Sequence, residues 1–326
     1  MQKILSPGRF RLVIQTCFVI FFVYIGFRFI AFLAWAGGTS ETFVSKPGAI
    51  EGFLPISALL GLRWLTITGE WDVVHPAGLS IFLAVLLIAF LCRKGFCGYI
   101  CPVGFLSNVL ERVGRSIHLA RIPPKWLDIP LIGLKYILLG GFCYAVFSMS
   151  EKALGMFIHS SYNMTSDAQM LAFFLHPSLT SMSVFGGLFV CNIVIRNFWC
   201  RYLCPYGALL GLLAWVGPVH IMRRSSLCID CGKCSKHCPS GISVHEKKMV
   251  RSAECIGCVR CVEVCPVTDC LSVVVLGRKS VSWKFVGIAS VAVLLLVWAW
   301  AKLYGRWESE MPLYMLKRIY TSGMVH

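Results

Sequence analysis

Apolar residues gather in five long stretches, near 12–36, 76–96, 127–149, 178–198 and 283–303. Each is long enough, at about 20 residues, to cross a bilayer as a helix. The pattern predicts an all-α membrane protein with five transmembrane helices. The segment 53–68 is also apolar, but it is short and broken by Pro55, Gly61 and Arg63, which suits a surface-lying or re-entrant piece. Beyond Pro102, residues Leu106, Val109, Leu110 and Val113 recur at i, i+3, i+4 and i+7, with Glu111, Arg112 and Arg115 opposite. That spacing predicts an amphipathic helix lying along the membrane interface. Between the fourth and fifth stretches the chain turns polar and rich in cysteine. The expected organisation is therefore a four-helix transmembrane domain over 1–222, a small α+β domain over 223–279, and a fifth helix with a tail over 280–326.

Composition agrees with the pattern. The 326 residues are 57% apolar and only 14% charged, outside the range of soluble globular proteins. The net charge of +16 does not point to nucleic acid, because no basic patch interleaved with stacking aromatics occurs. Instead, Lys and Arg collect at the N-terminus (Lys3, Arg9, Arg11), in 93–125 and in 196–284. Lys46, Arg63 and Lys152 are the few in the intervening segments. The positive-inside rule then puts the N-terminus, the loop after the second stretch and the 223–279 region in the cytoplasm, and the C-terminal tail outside. Ala34-Trp35-Ala36 has the look of a signal-peptidase site, but the apolar run before it is longer than a signal peptide's. It reads as a retained anchor.

The candidate chemistry lies in the 17 cysteines. Their grouping in ligand spacings argues for metal-binding thiolates in a reducing compartment rather than disulfides. Cys228, Cys231, Cys234, Cys238 and Pro239 form one C-x-x-C-x-x-C-x-x-x-C-P run, and Cys255, Cys258, Cys261, Cys265 and Pro266 form a second. Two such runs are the signature of a bacterial two-cluster ferredoxin, in which the fourth cysteine of each serves the other [4Fe–4S] cluster. The crossed sets are Cys228, Cys231, Cys234 and Cys265 on cluster 1, and Cys255, Cys258, Cys261 and Cys238 on cluster 2. Each proline stops the local turn so that the fourth thiolate can leave its own loop. Structural zinc also uses paired C-x-x-C, but needs only four thiolates.

The transmembrane part contains an internal repeat. Arg93 to Leu106 aligns with Arg196 to Leu209, so that Cys97, Cys101 and Pro102 match Cys200, Cys204 and Pro205. Upstream, His75-Pro76 opens the second stretch and His176-Pro177 the fourth. Helices one–two and three–four thus read as duplicated hairpins running in the same sense. Such symmetry would bring Cys97, Cys101, Cys200 and Cys204 together as a further metal centre, either an iron–sulfur cluster or a soft metal such as copper. Reduced thiols beside helix-breaking prolines are the plainer alternative. Cys17, Cys92, Cys143, Cys191 and Cys270 sit singly and read as small buried hydrophobes.

A quinone would need an apolar slot with groups that exchange protons. His75, His176 and Lys135 are the candidates, with Arg63, Glu70 and Asp72 nearby in the first loop. Helix-start histidines at a wet interface and a snorkelling lysine are the plain readings. His75 is ~33 Å from Cys97 along an ideal helix, so an outer quinone would require a further carrier, such as haem held by the two histidines.

The double cysteine run, the two C-x-x-x-C-P motifs and the hairpins between them resemble the NapH/NosR group of membrane polyferredoxins, which includes CcoG-type proteins, over about residues 50–300. The resemblance implies iron–sulfur electron transfer in a bacterial inner membrane, between the quinone pool and a redox partner in anaerobic respiration, as a quinol dehydrogenase-like subunit. The partner would be a cytochrome, a ferredoxin or a reductase. The chain has no large outer flavin domain and no C-terminal immunoglobulin-like domain of the kinds found in some relatives. A copper reductase assisting oxidase assembly, or a redox-sensing membrane ferredoxin, are the rival functions. No nucleophile elbow, phosphate loop or nucleotide-binding glycine fingerprint is present.

Overall fold

The computed structural model describes residues 6–309 and 311–323. Lys3, counted in the charge bias, and Glu310 and 324–326 of the tail lie outside the described residues. The chain is mostly helical. Its helices, in order, are α1 (Pro7–Ala36), α2 (Pro55–Thr68), α3 (Pro76–Cys92), α4 (Pro102–Ser116), α5 (Lys125–Ser148), α6 (Glu151–Ile158), α7 (Ser161–Met164), α8 (Ser166–Leu175), α9 (Leu179–Val194), α10 (Pro205–Val216), α11 (Lys233–Lys236), α12 (Arg260–Glu263), α13 (Phe285–Leu303) and α14 (Leu313–Gly323). Proline opens α1, α2, α3, α4 and α10, where its fixed φ suits a first helical turn and its missing N–H costs nothing.

Helices stand at all five predicted places, with α3 and α9 shorter than predicted. α1, α5 and α13 are long and apolar enough to cross a membrane, and α8 with α9 makes a fourth candidate if the pair, bent by 80°, is one span. Pro177 lies at that bend and cannot continue a helix. α3 stops at Cys92 because Arg93 takes φ 58° and turns the chain. The expected count of five thus becomes three to four by length and composition. The segment expected to lie on the surface or re-enter is α2, closed by Gly69 at φ 76°.

The amphipathic helix forms as α4, and its polar side is the one that packs. Ser107, Asn108 and Glu111 are buried while Val103, Leu106 and Val113 are exposed. Ser107 Oγ lies 3.0 Å from both Asn192 Oδ1 and Asn197 Oδ1. The polar groups of α4 thus find partners within the protein, while of its apolar stripe Leu106 and Val113 are exposed and Leu110 is buried.

The chain divides into two compact units. The first comprises Met1–Val19, Val85–Leu139 and Phe185–Val293; the second comprises Ile20–Ala84, Gly140–Val184 and Leu294–His326. α1, α3, α5, α9 and α13 each contribute to both. In the first unit, β1 (Val219–Arg223), β2 (Met249–Val250), β3 (Leu271–Val275) and β4 (Lys279–Val281) form an antiparallel sheet in the order β2-β1-β3-β4. β1 pairs with β3 from Val219↔Val275 to Arg223↔Leu271. The cysteine runs lie in the loops between β1 and β3. In the second unit one apolar cluster is built on Phe29, Phe32, Ile50, Leu316 and Tyr320, and another on Leu60, Val74, Val146, Leu154 and Ile158.

Candidate metal centres

The two cysteine runs fold into matching loops. In the first, Asp230 and Gly232 have φ 54° and 66°; in the second, the equivalent Gly257 and Val259 have φ 65° and 50°. Alternating left-handed residues turn successive backbone N–H groups toward one side, the concavity that suits an anion such as a thiolate-ligated cluster. Valine pays a steric penalty there, so the loop's shape outranks the comfort of Val259. α11 and α12 then carry the third cysteine of each run.

The loops gather the thiols in crossed sets. Cys228, Cys231, Cys234 and Cys265 line one pocket, partly open to solvent, with Ile229, Pro266 and Leu271 on its wall. Cys238, Cys255, Cys258 and Cys261 line another, walled by Ile221, Ile242, Val244 and Val250. Among the described residues no three His, Cys, Asp or Glu side chains gather as a site for a single metal ion. Four thiols ringing an apolar space is the donor set and room that a cube asks for. Burial pushes the Cys238 thiol up to about 12 and raises Cys258 and Cys261 as well. Their thiolates therefore need a cation to balance them, a role that metal ligation would fill. In contrast, Cys228 is held below the usual thiol range, first by the backbone N–H of Asp230 and then by Arg223. Cys270, read in the sequence as an unassigned lone cysteine, is buried on the wall of the first cavity. Its place in the bend just before β3 brings it there, and nothing in local spacing signals that.

The repeat is visible in three dimensions. Phe96–Ile100 and Trp199–Leu203 each form one π-helical turn, closed by extended Cys101 and Cys204, after which Pro102 and Pro205 start α4 and α10. The N–H of Cys101 donates to the carbonyl of Phe96, and that of Cys204 to Trp199, both at 2.9 Å. Gly104 packs on the carbonyl of Cys97, which a Cβ would meet at 2.6 Å. Cys97, Cys101, Cys200 and Cys204 stand close enough for their charges to interact. Burial pushes Cys97 up to about 11 and Cys200 to about 12; Lys94 and Lys135 partly offset it at Cys97. The two π-turns thus place the four thiols within electrostatic reach of one another.

Lys135 does not snorkel. It is fully buried, and its Nζ lies 2.6 Å from both carboxylate oxygens of Glu254, the residue before Cys255. Lys94 stands 4.0 Å from the same carboxylate, and Tyr136 Oη donates to it at 3.4 Å. Nearby, Arg201 pairs with Asp128 at 2.6 Å. The second run is also fastened directly to the first π-turn. The Tyr99 hydroxyl donates to the carbonyl of Gly257 at 3.4 Å, and a Cβ on Gly98 would meet the carbonyl of Ile256 at 2.5 Å. Glu254 was missed in the sequence because an acid beside a cysteine carries no signal of its own.

In the second unit, His75 is buried. Its Nε2 lies 2.8 Å from the carbonyl oxygen of Asn163 and its Nδ1 3.3 Å from Glu51 Oε1. His176 is exposed at the end of α8. Nε2 of His75 is thus committed to a protein acceptor, while Nδ1 stands beside Glu51 without a hydrogen bond.

These sites define a ferredoxin-type iron–sulfur protein built into apolar helices. A family profile described as a 4Fe-4S binding domain matches twice, over residues 74–120 and 178–224, once on each copy of the repeat. A second, described as a 4Fe-4S dicluster domain, matches 222–273. The matches make the chain similar to membrane-associated ferredoxin-type electron transport proteins of the NapH/NosR type. It is 42% identical over 214 residues to YccM of Escherichia coli strain K12, whose name assigns it to electron transport; the match covers 65% of this chain and 60% of YccM. It is 30% identical over 190 residues to NirI of Paracoccus denitrificans, covering 57% of this chain and 26% of NirI. It is 29% identical over 202 residues to MauN of Methylorubrum extorquens, a methylamine utilization ferredoxin-type protein, covering 58% and 62%. The chain thus spans less than two thirds of each of these relatives. No solved structure matches it.

Proposed function

We propose that this chain is a membrane-bound electron carrier that passes single electrons from a membrane-side thiol centre to a soluble or peripheral redox partner. Cys228, Cys231, Cys234 and Cys265 hold one [4Fe–4S] cluster, and Cys255, Cys258, Cys261 and Cys238 hold the second. Cys97, Cys101, Cys200 and Cys204 hold a third centre, and a cluster rather than copper is favoured because the profile matching both copies is described as 4Fe-4S binding. When bound, the clusters supply one-electron redox chemistry. The protein supplies order and insulation.

One observation carries the order: the second run is fastened to the π-turn of Cys97 through Glu254, Tyr99 and Gly98, while Cys231 and Ile229 of the first run are exposed. Electrons therefore move between the four-thiol centre and the second run, and from there to the first run and the partner. Lys94 and Lys135 face both Glu254 and the Cys97 thiol, so they offset the negative charge that thiolates bring into a buried layer. Ile221, Ile242, Val244 and Val250 keep water from the second set.

In this reading α1, α3, α5, α9 and α13 all cross a bacterial inner membrane, with the ferredoxin region in the cytoplasm. The membrane-side donor or acceptor is the quinone pool or a partner subunit of an anaerobic respiratory chain. Iron and acid-labile sulfide counting tests the cofactor assignment. Three cubes give ~12 irons per chain, falling to ~8 in Cys97→Ser/Cys200→Ser. A count of ~8 in both chains sinks the third cluster, and purified protein loaded with zinc sinks the other two. Copper bound by the native chain and lost from the double variant would favour the reductase alternative.

A further inference from the structure

The second unit holds none of these cysteines, yet it buries a chain of ionisable groups. Lys46 Nζ lies 2.7 Å from Asp167 Oδ2 and 3.1 Å from Glu51 Oε1. Glu51 Oε1 lies 3.3 Å from His75 Nδ1, and Glu51 Oε2 accepts from the N–H of Gly78 at 3.0 Å. Tyr320 Oη donates to Asp167 at 2.9 Å. Glu51, Asp72, His75 and Asp167 are each at most 3% exposed. Burying so many polar groups is costly unless each is satisfied.

The proton inventory at His75 is fixed by its neighbours. A carbonyl oxygen only accepts, so Nε2, at 2.8 Å from that of Asn163, must carry a hydrogen. Nδ1 is buried 3.3 Å from Glu51 Oε1 without a hydrogen bond in this geometry, so a neutral ring would leave its lone pair beside a carboxylate oxygen, acceptor beside acceptor. A second proton between Nδ1 and Oε1 removes the conflict. The charges facing the ring agree: Lys46 and Glu51 from the segment before α2, Asp72 from its own loop and Asp167 from α8. With the ring charged, Lys46 and His75 balance Glu51 and Asp167. Asp72 is the group left over. Its Oδ1 accepts from the N–H groups of Val74 and His75 at 2.8 and 3.2 Å, while its buried Oδ2 has no hydrogen-bond partner and packs against Gly61. Burial raises its pKa, as expected of a neutral acid here.

We propose that Glu51 and His75 form a buried proton-holding site, with one exchangeable proton between Oε1 and Nδ1, as a function separate from the electron-carrying thiols. Loss of that proton strands a negative charge in a buried layer. The pair therefore gives up or takes its proton only when another charge nearby compensates, with neutral Asp72 as the adjacent acid. A site of this kind lets charge entering or leaving the membrane be matched by a proton.

The test is a pH titration of the full chain, labelled with [15N]histidine in lipid nanodiscs, with infrared detection of protonated carboxyl groups alongside. The His75 signal is assigned by its loss in His75→Gln. At pH 7 the expected result is a ring protonated on both nitrogens, or a neutral ring beside a protonated Glu51 whose carboxyl band vanishes in Glu51→Gln. Glu51→Gln should also lower the ring's midpoint by at least one pH unit. A neutral ring facing an ionised Glu51 at pH 7 overturns the proposal, as does a midpoint unmoved in Glu51→Gln. If Glu51→Gln does not fold, the titration of the unaltered chain, with carboxyl bands assigned by 13C-labelled glutamate, decides alone.

Discussion

Two stretches of this chain carry the same cysteine spacing and live in different surroundings. The first run begins at the surface, where Cys231 is exposed, Ile229 is 65% exposed and the Cys228 thiol is held low by backbone and Arg223, although its Cys234 and Cys238 are buried. The second is enclosed: Gly257 and Val259 are buried, Glu254 is held by Lys135 and Lys94, and burial pushes its thiols up. The difference teaches that a repeated ligand motif does not make repeated roles. What a run packs against decides whether it faces the membrane centre or the partner.

The sharpest way to break the comparison is to remove one thiol from each run. Cys258→Ser should cut electron flow from the membrane side to both ferredoxin-type centres by orders of magnitude. Cys231→Ser should leave reduction of the second run intact and stop only delivery to a partner, as followed by rapid-freeze EPR. Equal losses in both would erase the proposed order.

Next in size is the buried ion pair. Lys135→Met leaves Glu254 with only the more distant Lys94, and removing one partner of a buried pair costs about 3–5 kcal/mol. Thermal unfolding should shift down and iron should be lost from the second run first. Lys135→Met/Glu254→Gln should recover much of that loss, because no unpaired charge remains. A Lys135→Met chain with wild-type melting and unchanged cluster reduction would show that the pair neither stabilises nor tunes the second run.

A smaller contrast comes from two glycines. Gly98→Ala drives a methyl into the carbonyl of Ile256, and overpacking of this kind costs about 1–3 kcal/mol. It should loosen the second run from the π-turn. Gly232→Ala meets open space and pays only for φ 66°, about 1 kcal/mol, in the first run. Differential scanning of the two variants, with EPR of each centre, reads the contrast directly.

The smallest effect is with pH. Arg93 donates to His220 Nδ1 at 2.9 Å and to the carbonyl of Val219 at 3.1 Å, and also to the carbonyl of Ser252, near the second run. Burial, then Arg93, lowers the His220 pKa from 6.5 to about 4. The neutral ring therefore adds stability that is complete above about pH 6.5 and is lost as pH falls toward 4. Acidification from pH 7 to 5 should cost about 1–2 kcal/mol and disturb the second run's signal before the first's. A His220→Gln chain, which keeps an acceptor, should lose most of that dependence.

Much of the candidate site was legible because metal ligation and bilayer crossing are written locally. Thiolate spacing in Cys228–Cys238 and Cys255–Cys265 needs a loop of fixed length around a cluster, and an apolar run needs only its own length to read as a helix. The Cys97–Cys101 and Cys200–Cys204 repeat was legible for the same reason, as self-similarity at a constant offset. Helix ends were not: α3 halts at Cys92 because the π-turn requires Arg93 in a left-handed conformation, a demand set by what the turn packs against. The amphipathic stripe of α4 was read correctly as a helix, but that its polar face meets Asn192 and Asn197 depended on residues about 85 positions away.

By itself, the sequence determined the two cysteine runs, the repeat and the apolar helices, since each follows from spacing along one chain. Only the tertiary structure decided that Lys135 meets Glu254, that Cys270 lines the first cavity, and that His75 lies between two acceptors. Those facts depend on which distant groups share a buried, low-dielectric space, where every charge must find its partner.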